Sequence, residues 1–408
     1  MKHLVILGAG TAGTMMANKL ARALAADWSI TVLDRNDVHV YQPGLLFLPF
    51  WLYREEELTR PRRPLFDPRV DVRLTEIDRV VTDRQVVRLG DGTELPYDLL
   101  IVATGSRILP EQTPGLTGAG WRKTAFDFYT LDGARALRDA FCTFAGGRLV
   151  LNVAEMPIKC PVAPLEFLFL ADAFFQDRGM RDKVEITYAT PLEGAFTKPR
   201  ASAALGDQLA RRSIQVVGDF NLAEVDGERQ VIKGYDGREV PYDLLVSIPL
   251  HGGSEVIARS ELGDQNGWVP TDRNTLQSKA HPNIFVIGDA TDLPSSKAGS
   301  VAHFEGDVLF ENVLRFIGGR PLDPGFDGHA NCFIETGHGK GMLIDFNYET
   351  EPLPGRFPLP SIGPFTLLEE SEANHWGKLA FKWLYWNALV PGKELPLDHR
   401  MLWAGKWA

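Results

Sequence analysis

Residues 3–13 read His-Leu-Val-Ile-Leu-Gly-Ala-Gly-Thr-Ala-Gly, an apolar run followed by glycines at the spacing GxGxxG. The run predicts a buried strand, and the residues after Gly13 predict a helix to about Ala25. A second apolar run, Ile30–Leu33, ends at Asp34. In such a unit the glycines allow a tight turn and close approach of the backbone to a pyrophosphate, and the acid binds ribose hydroxyls. This stretch therefore predicts a dinucleotide-binding domain.

Two later segments point to the same cofactor site. Residues 97–105 form an apolar strand that ends in Ala-Thr-Gly, and residues 283–290 form another that ends in Gly-Asp-Ala. Lys297 precedes a helix predicted after Ala298, where a cation suits the negative charge of a reduced flavin. Together the three segments predict FAD binding. The predicted contacts are Gly8, Gly10, Thr11, Ala12, Gly13, Asp34, Arg35, Ala103, Thr104, Gly105, Gly288, Asp289 and Lys297.

A second strand–turn–helix unit lacks the glycines of the first. Leu149–Val153 predicts a buried strand and Leu165–Phe175 a helix. The turn between them reads Ala-Glu-Met-Pro-Ile-Lys-Cys-Pro-Val-Ala-Pro, so Lys159 and Cys160 stand where the phosphates of a nicotinamide dinucleotide would lie. We interpret the unit as a degenerate NAD-like domain in which a thiol replaces the nicotinamide as electron donor.

The pattern predicts an α/β fold with two Rossmann-like domains and a C-terminal α+β region. Residues 1–112 and 276–320 would form a discontinuous FAD-binding domain, residues 113–275 the second domain, and residues 321–408 the C-terminal region. Tyr-Asp-Leu-Leu-Ile at residues 97–101 is echoed by Tyr-Asp-Leu-Leu-Val at residues 242–246, which supports two related halves.

Composition excludes several classes of function. The 408 residues carry a formal net charge of −10, and nucleic acid is excluded as a partner because binding it needs a basic face. Three cysteines are too few for a disulfide framework and too dispersed for zinc, so no metal is predicted. The first apolar run stops at Gly8, and no stretch approaches the ~18–20 apolar residues of a spanning helix. We therefore expect neither a signal peptide nor a transmembrane segment.

The C-terminal region is rich in aromatic residues. Residues 331–336 and 340–348 predict a β-hairpin, and Asn374–Val390 predicts a helix. Five of the nine tryptophans lie at or after Trp376. Tryptophan and lysine together are typical of a membrane interface, so the C-terminal aromatic helix is predicted to bind the membrane surface. A terminal helix packed on its own domain, or in a dimer contact, would show the same pattern.

Cys160 and Cys332 are the candidates for redox chemistry. If their sulfurs meet beside a flavin they form a disulfide, which a sulfur nucleophile opens to a persulfide and a thiolate. Lys159 is expected to lower a cysteine pKa. Glu166 is a candidate proton acceptor, and its alternative role is that of a helix N-terminal acid. Cys142, on a helix predicted over Leu131–Phe144, fits a buried structural thiol.

These segments together resemble the sulfide:quinone oxidoreductases, flavoproteins of the two-dinucleotide disulfide reductase superfamily. The resemblance rests on Gly8–Gly13, Ala103–Gly105, Lys159–Pro164 with Glu166, Ile287–Asp289 and Asn331–Glu335. It implies that FAD is the cofactor, that sulfide is oxidised to polysulfide or sulfur at Cys160 and Cys332, and that two electrons pass to a membrane quinone. It also implies that Phe333 and Phe365 flank the quinone ring. Residues 321–408 would then hold the protein peripherally on the inner membrane of a bacterium or archaeon.

The sequence departs from this family at three points. Tyr129 stands where many members carry a third cysteine, and residues 193–196 lack a histidine that some members have. Residues 36–53 contain no cysteine, whereas related flavocytochromes c attach FAD there. The flavin linkage, the proton route and the sulfur chain length therefore stay open, as do the particular quinone and the oligomeric state, a homo-oligomer included.

Three alternatives remain at this point. The flavin subunit of a flavocytochrome c sulfide dehydrogenase would share the cysteine pair, but the aromatic tail favours quinone. A type II NADH:quinone dehydrogenase would need a glycine-rich second turn, which residues 152–164 lack. A flavin-binding scaffold or redox sensor would form the disulfide without turnover.

Overall fold

Strands and helices alternate along most of the chain in the computed structural model, which describes residues 1–358, 363–395 and 398–407. The α-helices are α1 (Thr11–Ala23), α2 (Glu55–Leu58), α3 (Leu131–Thr143), α4 (Ala163–Asp177), α5 (Pro199–Arg211), α6 (Glu255–Arg259), α7 (Gly299–Ile317) and α8 (Glu372–Leu384). The strands are β1 (Lys2–Leu7), β2 (Trp28–Asp34), β3 (Val38–Val40), β4 (Thr59–Pro61), β5 (Val70–Leu74), β6 (Ile77–Val81), β7 (Val86–Leu89), β8 (Glu94–Pro96), β9 (Leu99–Val102), β10 (Ser106–Ile108), β11 (Ala125–Phe126), β12 (Gly147–Val153), β13 (Val184–Ala189), β14 (Gln215–Val217), β15 (Leu222–Asp226), β16 (Val231–Gly234), β17 (Glu239–Pro241), β18 (Leu244–Ile248), β19 (His251–Gly253), β20 (Ile284–Val286), β21 (Ala330–Gly337), β22 (Lys340–Phe346), β23 (Gly355–Phe357) and β24 (Phe365–Leu367).

The first sheet is parallel and has the strand order β20-β9-β1-β2-β5. Its central strand β1 is apolar on both faces. Leu4 and Ile6 pack into the core that contains α1 and α7, and Val5 and Leu7 into a second core with β6, β7 and α6. A parallel sheet covered on both faces requires such a continuous apolar run, which is why the run predicted the strand correctly.

Gly13 allows α1 to approach β1 closely. A Cβ added to it would lie 1.9 Å from the carbonyl oxygen of Gly8. Gly8 itself has φ of +97°, and a Cβ there would lie 2.4 Å from the carbonyl oxygen of Ala103 at the end of β9. The turn therefore needs glycine at both positions to bring β1, α1 and β9 together.

The second sheet repeats the first, with the parallel order β11-β18-β12-β13-β14. Strand β18 pairs with β12 as β9 pairs with β1. Asp98, just before β9, accepts a hydrogen bond from His3 N at 2.7 Å, and Asp243, just before β18, accepts one from Arg148 N at 2.7 Å. The recurring Tyr-Asp pair thus fixes the start of the first strand in both halves.

The C-terminal region forms a mixed sheet in the order β21-β22-β24-β23, covered by α8. Strand β21 also packs against α4 of the second domain. The end of the tail is anchored because Lys406 Nζ contacts Asp345 Oδ2 of β22 at 2.6 Å, with both side chains almost fully buried. The fold class is therefore the predicted one: two Rossmann-like domains and a C-terminal α+β region.

Residues 77–89 form a hairpin of β6 and β7, with a turn that ends at Gln85, whose φ is +50°. One local prediction differs from the structure. The C-terminal helix begins at Glu372, two residues early, where the Ser371 hydroxyl accepts a hydrogen bond from Asn374 N at 3.2 Å. Within the residues described, none of the helices has both the length and the apolar character needed to cross a membrane.

We predict that Gly13→Ala lowers the free energy of unfolding by about 1–3 kcal/mol, because the added methyl forces α1 away from β1. Thermal or denaturant unfolding would measure it. Gly206→Ala in α5 is the control, since nothing lies within 4 Å of its Cβ position, and it should stabilise by up to ~1 kcal/mol. Equal stability of the Gly13 variant and the wild type would contradict this account of the turn.

Candidate active site

A cavity of about 640 Å³ lies at the carboxyl ends of the strands of the first sheet, the usual ligand position in such a sheet. Its lining includes Gly8, Gly10, Thr11, Ala12, Asp34, Arg35, Ala103, Thr104, Gly105, Gly288, Asp289 and Lys297, together with Lys159, Cys160 and Glu166. Gly13 lies outside the lining because it faces the backbone of Gly8. Cys332, Phe333 and Phe365 also lie outside it.

The backbone around the cavity leaves room for a dinucleotide. A Cβ added to Gly10 or Gly105 would meet nothing within 4 Å, so both positions face open space. The buried hydroxyl of Thr104 has no hydrogen-bond partner among the described residues. An orphaned hydroxyl beside an open glycine turn at a helix N-terminus fits a bound phosphate-containing ligand.

Asp34, at the end of β2, is held by three groups. Its Oδ2 accepts a hydrogen bond from Ala9 N at 2.8 Å and pairs with Arg62 Nη1 at 2.9 Å. Its Oδ1 accepts one from Arg35 N at 2.8 Å. Arg62 also lines the cavity, so this end of the site carries a cation that the sequence analysis missed.

The Gly-Asp turn after β20 rests on a buried acid. Glu305 of α7 is 1% exposed, and its Oε2 accepts a hydrogen bond from Gly288 N at 2.6 Å. Burial raises the pKa of Glu305 from its ordinary 4.5 to about 7, against the opposing effects of the Gly288 hydrogen bond and Lys297. Asp289 accepts a hydrogen bond from the Ser106 hydroxyl at 3.0 Å, which fixes the other acid of the turn.

Lys297 and the start of α7 direct positive potential into the cavity. Lys297 Nζ donates to the carbonyl oxygen of Thr291 at 2.7 Å and lies 4.4 Å from the ring centroid of Trp268. Burial lowers its pKa, while Asp289 and Glu305 oppose the decrease. The first residues of α7 also line the cavity, and a helix N-terminus favours negative charge.

Cys160 and Cys332 come from different parts of the chain and share charged neighbours. Cys160 precedes α4 with φ of +49°, and its N–H donates to the carbonyl oxygen of Lys297 at 2.6 Å. Cys332 is buried on β21. Burial raises the pKa of Cys160 to about 12 and that of Cys332 to about 11; Glu166 adds to both increases and Lys378 opposes both. The same two charges thus act on both thiols.

That ion pair joins Glu166 of α4 to Lys378 of α8. Lys378 Nζ lies 2.7 Å from Glu166 Oε1, and the two side chains are 13% and 0% exposed. Lys378 also donates to the carbonyl oxygen of Phe333 at 3.0 Å, and Glu166 Oε1 accepts from Glu335 N at 2.8 Å. Glu166 Oε2 has no hydrogen-bond partner in the part of the chain that the structure describes. The carboxylate therefore has one oxygen left for a ligand.

Lys159 lies apart from this pair. Its Nζ donates to Gln42 Oε1 at 3.0 Å and lies 6.0 Å from the ring centroid of Tyr129. Tyr129 donates its hydroxyl to the carbonyl oxygen of Cys160 at 3.3 Å. Lys378 opposes the increase in the pKa of Cys160, and Cys160 in turn opposes the decrease in the pKa of Lys159 that burial causes.

Phe333 and Phe365 meet beside α8. Their ring centroids are 5.0 Å apart in an edge-to-face arrangement. A Cβ on Gly377 would lie 2.7 Å from an edge carbon of each ring, so the absence of a side chain there leaves space for both. We call this arrangement of Phe333, Phe365 and Gly377 the aromatic slot. It adjoins the ion pair, since Lys378 Nζ donates to the carbonyl oxygen of Phe333.

The C-terminal helix presents tryptophan outward and lysine inward. Trp376 and Trp383 are each 65% exposed. Lys382 pairs with Glu57 at 2.8 Å and lies 3.9 Å from the ring centroid of Tyr53. Lys378 and Lys382 thus both bind groups of the protein, and the membrane contact of this helix stays a prediction that rests on its exposed tryptophans.

Cys142 is exposed on α3 rather than buried. The interpretation of this residue as a buried structural thiol was wrong because it lies on the solvent-facing side of the helix, whereas Phe141 beside it fills the core.

Residues 2–155 match the family model described as pyridine nucleotide-disulphide oxidoreductase. The mitochondrial sulfide:quinone oxidoreductase of Mus musculus is 26% identical over 398 residues, which cover 96% of this chain and 86% of the mouse protein. The X-ray structure of the sulfide:quinone oxidoreductase from Aquifex aeolicus has a TM-score of 0.80 and 20% identity over 96% of this chain and 92% of its own, which shows the same fold. The type II NADH:quinone oxidoreductase of Staphylococcus aureus is 24% identical over 87% of this chain and 92% of its own length.

The chain resembles the sulfide:quinone oxidoreductases over nearly its whole length. This confirms the resemblance drawn from the sequence motifs, and with it the prediction of an oxidoreductase enzyme. The sulfide:quinone oxidoreductase motifs did not reveal Arg62, Glu305 or Lys378, since none of these residues belongs to a motif. One sequence feature could have drawn attention to Lys378, namely the neighbouring Gly377. Glycine inside a helix is unfavourable unless another group needs the space, so it marks a position of close packing.

We predict that Glu305→Gln stabilises the protein increasingly as pH rises. The folded pKa of Glu305, about 7, exceeds the ordinary 4.5, so its contribution to stability is complete below about 4.5 and is lost as pH rises through 7. Glutamine does not titrate, so the advantage of the variant should grow across that range to at most ~3 kcal/mol. Thermal unfolding at several pH values measures it. Glu311→Gln on the same helix is the control, and a pH-independent difference in the Glu305 variant would contradict the burial argument.

Proposed function

We propose that this chain is a sulfide:quinone oxidoreductase that oxidises sulfide at Cys160 and Cys332 and passes two electrons through FAD to a membrane quinone. The observation that carries the proposal is the shared neighbourhood of the two thiols. Both are influenced by the buried Glu166–Lys378 pair, and Cys160 also lines the cavity predicted for the flavin. A structural role alone gives no reason for one buried pair of charges to act on thiols from two different domains.

The cofactor would be held by the residues that line the cavity. Gly10 and the N-terminus of α1 would face the pyrophosphate, Asp34 the ribose hydroxyls, and Asp289 the ribityl or pyrophosphate portion. Lys297 and the N-terminus of α7 would stabilise negative charge on the reduced ring. FAD, when bound, accepts an electron pair from a thiolate on one side and returns it to a quinone on the other.

The thiol chemistry starts from a Cys160–Cys332 disulfide. Hydrosulfide attacks one sulfur, forming a persulfide there and releasing the other sulfur as a thiolate, so that one S–S bond forms as another breaks. Lys378 stabilises the released thiolate, and the free oxygen of Glu166 accepts the persulfide proton. Lys159, held by Gln42, lines the cavity beside Cys160 and would attract the incoming anion.

The quinone would enter at the aromatic slot. The rings of Phe333 and Phe365 are partly buried and offer the apolar stacking surface that a planar quinone needs. Trp376 and Trp383 lie on α8, the helix that also carries Gly377 of the slot, and would place the slot at the membrane surface. The protein would thus act as a peripheral membrane protein.

The domain boundaries form part of the proposal. Residues 1–112 and 276–320 would hold FAD, residues 113–275 would supply Cys160 and Glu166, and residues 321–408 would supply Cys332, the quinone site and the membrane contact. The division follows the sheets, because β20 joins the first sheet although it lies after the second domain in sequence.

A type II NADH:quinone oxidoreductase is disfavoured by the second turn. The residues before α4 place Lys159 and Cys160 where NADH phosphates would need glycines, and the first turn of α4 carries the acid Glu166. An acid at that helix end repels a pyrophosphate.

We predict that Cys160→Ala and Cys332→Ala each slow the bleaching of flavin absorbance by sulfide at least about a hundredfold without loss of FAD, because covalent catalysis is removed. Anaerobic stopped-flow absorbance measures this, and a soluble quinone should restore the wild-type absorbance. Cys142→Ala is the matched control, since the thiol is exposed on α3, and should behave as wild type.

Full bleaching of either variant by sulfide would remove that cysteine from the mechanism. Bleaching of the wild type by NADH in place of sulfide would instead favour the NADH dehydrogenase alternative. A reversible disulfide without any turnover would favour a redox sensor.

We predict that replacing both Trp376 and Trp383 by serine reduces binding to liposomes roughly tenfold or more, because ~1.5 kcal/mol of indole burial is lost. Flotation with vesicles of mixed neutral and anionic lipid measures it. Tyr235→Ser is the control, since Tyr235 is 79% exposed in the turn between β16 and β17 of the second domain. If all three proteins bind equally, the tail does not form the membrane contact.

A further inference from the structure

A second charged pair lies next to the Glu166–Lys378 pair. His375 Nδ1 lies 2.9 Å and 3.0 Å from the two carboxylate oxygens of Glu335. Glu335 is 3% exposed at its side chain, whereas that of His375 is 20% exposed. The pair therefore runs from the protein surface to a buried carboxyl group.

The two pairs are connected through β21. Glu335 N donates to Glu166 Oε1 at 2.8 Å, and Lys378 donates to the carbonyl oxygen of Phe333, two residues away on the same strand. The charged or titratable groups near the Glu335 carboxyl are His375, Glu166, Lys378 and Tyr53. Lys378 Nζ reaches the aromatic slot at the carbonyl oxygen of Phe333, so ionisable side chains lie between the surface at His375 and the slot.

The proposed reaction needs a path by which protons reach the quinone from solvent. Hydrosulfide oxidation releases one proton with two electrons, and quinone reduction takes up two protons with two electrons. The sum is HS⁻ + quinone + H⁺ → S⁰ + quinol, so one proton per turnover must come from solvent. Phe333 and Phe365 are partly buried, and a quinone between them at a membrane surface would be shielded from bulk water.

We propose that His375 and Glu335 carry protons from solvent to Lys378 and the aromatic slot. This inference rests on the proposed function, since it assumes quinone reduction at that slot. His375 exchanges protons with water, Glu335 accepts them from its imidazole, and Lys378 passes them toward the reduced quinone. Neither His375 nor Glu335 touches the quinone, so both are positioned relay groups rather than catalytic residues.

The environment of Glu335 suits this role. Burial raises its pKa, while the neighbouring His375 opposes the increase. A carboxyl group with a raised pKa holds and releases protons nearer to neutral pH than an exposed glutamate does. The imidazole of His375 is partly exposed and touches both carboxylate oxygens of Glu335, so it connects that buried group to solvent.

The test measures only the reoxidation of the reduced flavin by a quinone, in the absence of sulfide. Protein reduced with stoichiometric dithionite is mixed with decylubiquinone, and the return of flavin absorbance is timed. Glu335→Gln and His375→Gln should slow it at least about tenfold, with the deficit growing as pH rises, because a proton must be delivered in the rate-limiting step. Reduction of the same variants by sulfide should stay within about twofold of wild type.

Matched controls separate a relay from a packing defect. Glu372→Gln, at the exposed start of α8, and His338→Gln, at the tip of the β21–β22 hairpin, should match wild type. Glu335→Asp, which keeps a carboxyl group, should recover part of the rate, and free imidazole should rescue His375→Ala. Infrared titration of the oxidised holoprotein should show a carboxyl band, absent from Glu335→Gln, that persists above the pH at which free glutamate ionises.

Wild-type rates in both relay variants, or a loss that neither imidazole nor aspartate restores, would overturn the relay while leaving the proposed function intact. A wild-type protein whose reduced flavin is not reoxidised by decylubiquinone would overturn the proposed function and the relay with it.

Discussion

The buried ion pair between Glu166 and Lys378 is the contact on which the site depends. It joins α4 of the second domain to α8 of the C-terminal region, with the edge strand β21 between them. An edge strand leaves backbone groups unpaired on one side, and here the N–H of Glu335 binds the carboxylate and the carbonyl oxygen of Phe333 binds the ammonium. Removing one charge from such a pair typically costs ~3–5 kcal/mol, so neither partner is replaceable alone.

The position of Cys332 follows from this contact. The residue lies on β21 one position before Phe333, so the strand that the ion pair holds against α4 also carries the second thiol. Cys160 precedes the same helix, and the charges of Glu166 and Lys378 act on both thiols. Burial alone favours neutral thiols. The ammonium of Lys378 supplies the compensation that a thiolate released from a disulfide would require.

The sequence predicted what depends on local patterns. The glycine turn at residues 8–13, the parallel strands and the Tyr-Asp repeat are local, and the structure contains all of them. The role of Lys378 was missed because its partner lies in another domain, and an amphipathic pattern with exposed tryptophans offers no sign that the lysines turn inward. Cys142 was misplaced because helical spacing does not say which of two adjacent residues, Phe141 or Cys142, faces the core.

The turn before α4 lacks the glycines of the turn before α1, and the Glu166–Lys378 ion pair gives a physical reason for this difference. In a nucleotide-binding unit the helix N-terminus stabilises phosphate, and its partial positive charge must be left free for that ligand. Here the first turn of α4 carries Glu166, whose charge occupies the same field and would repel a phosphate. Because this helix end holds a carboxylate that fixes Lys378, it does not bind a pyrophosphate, and the turn does not need glycines for close approach. The turn instead carries Cys160 in a left-handed conformation beside the cavity.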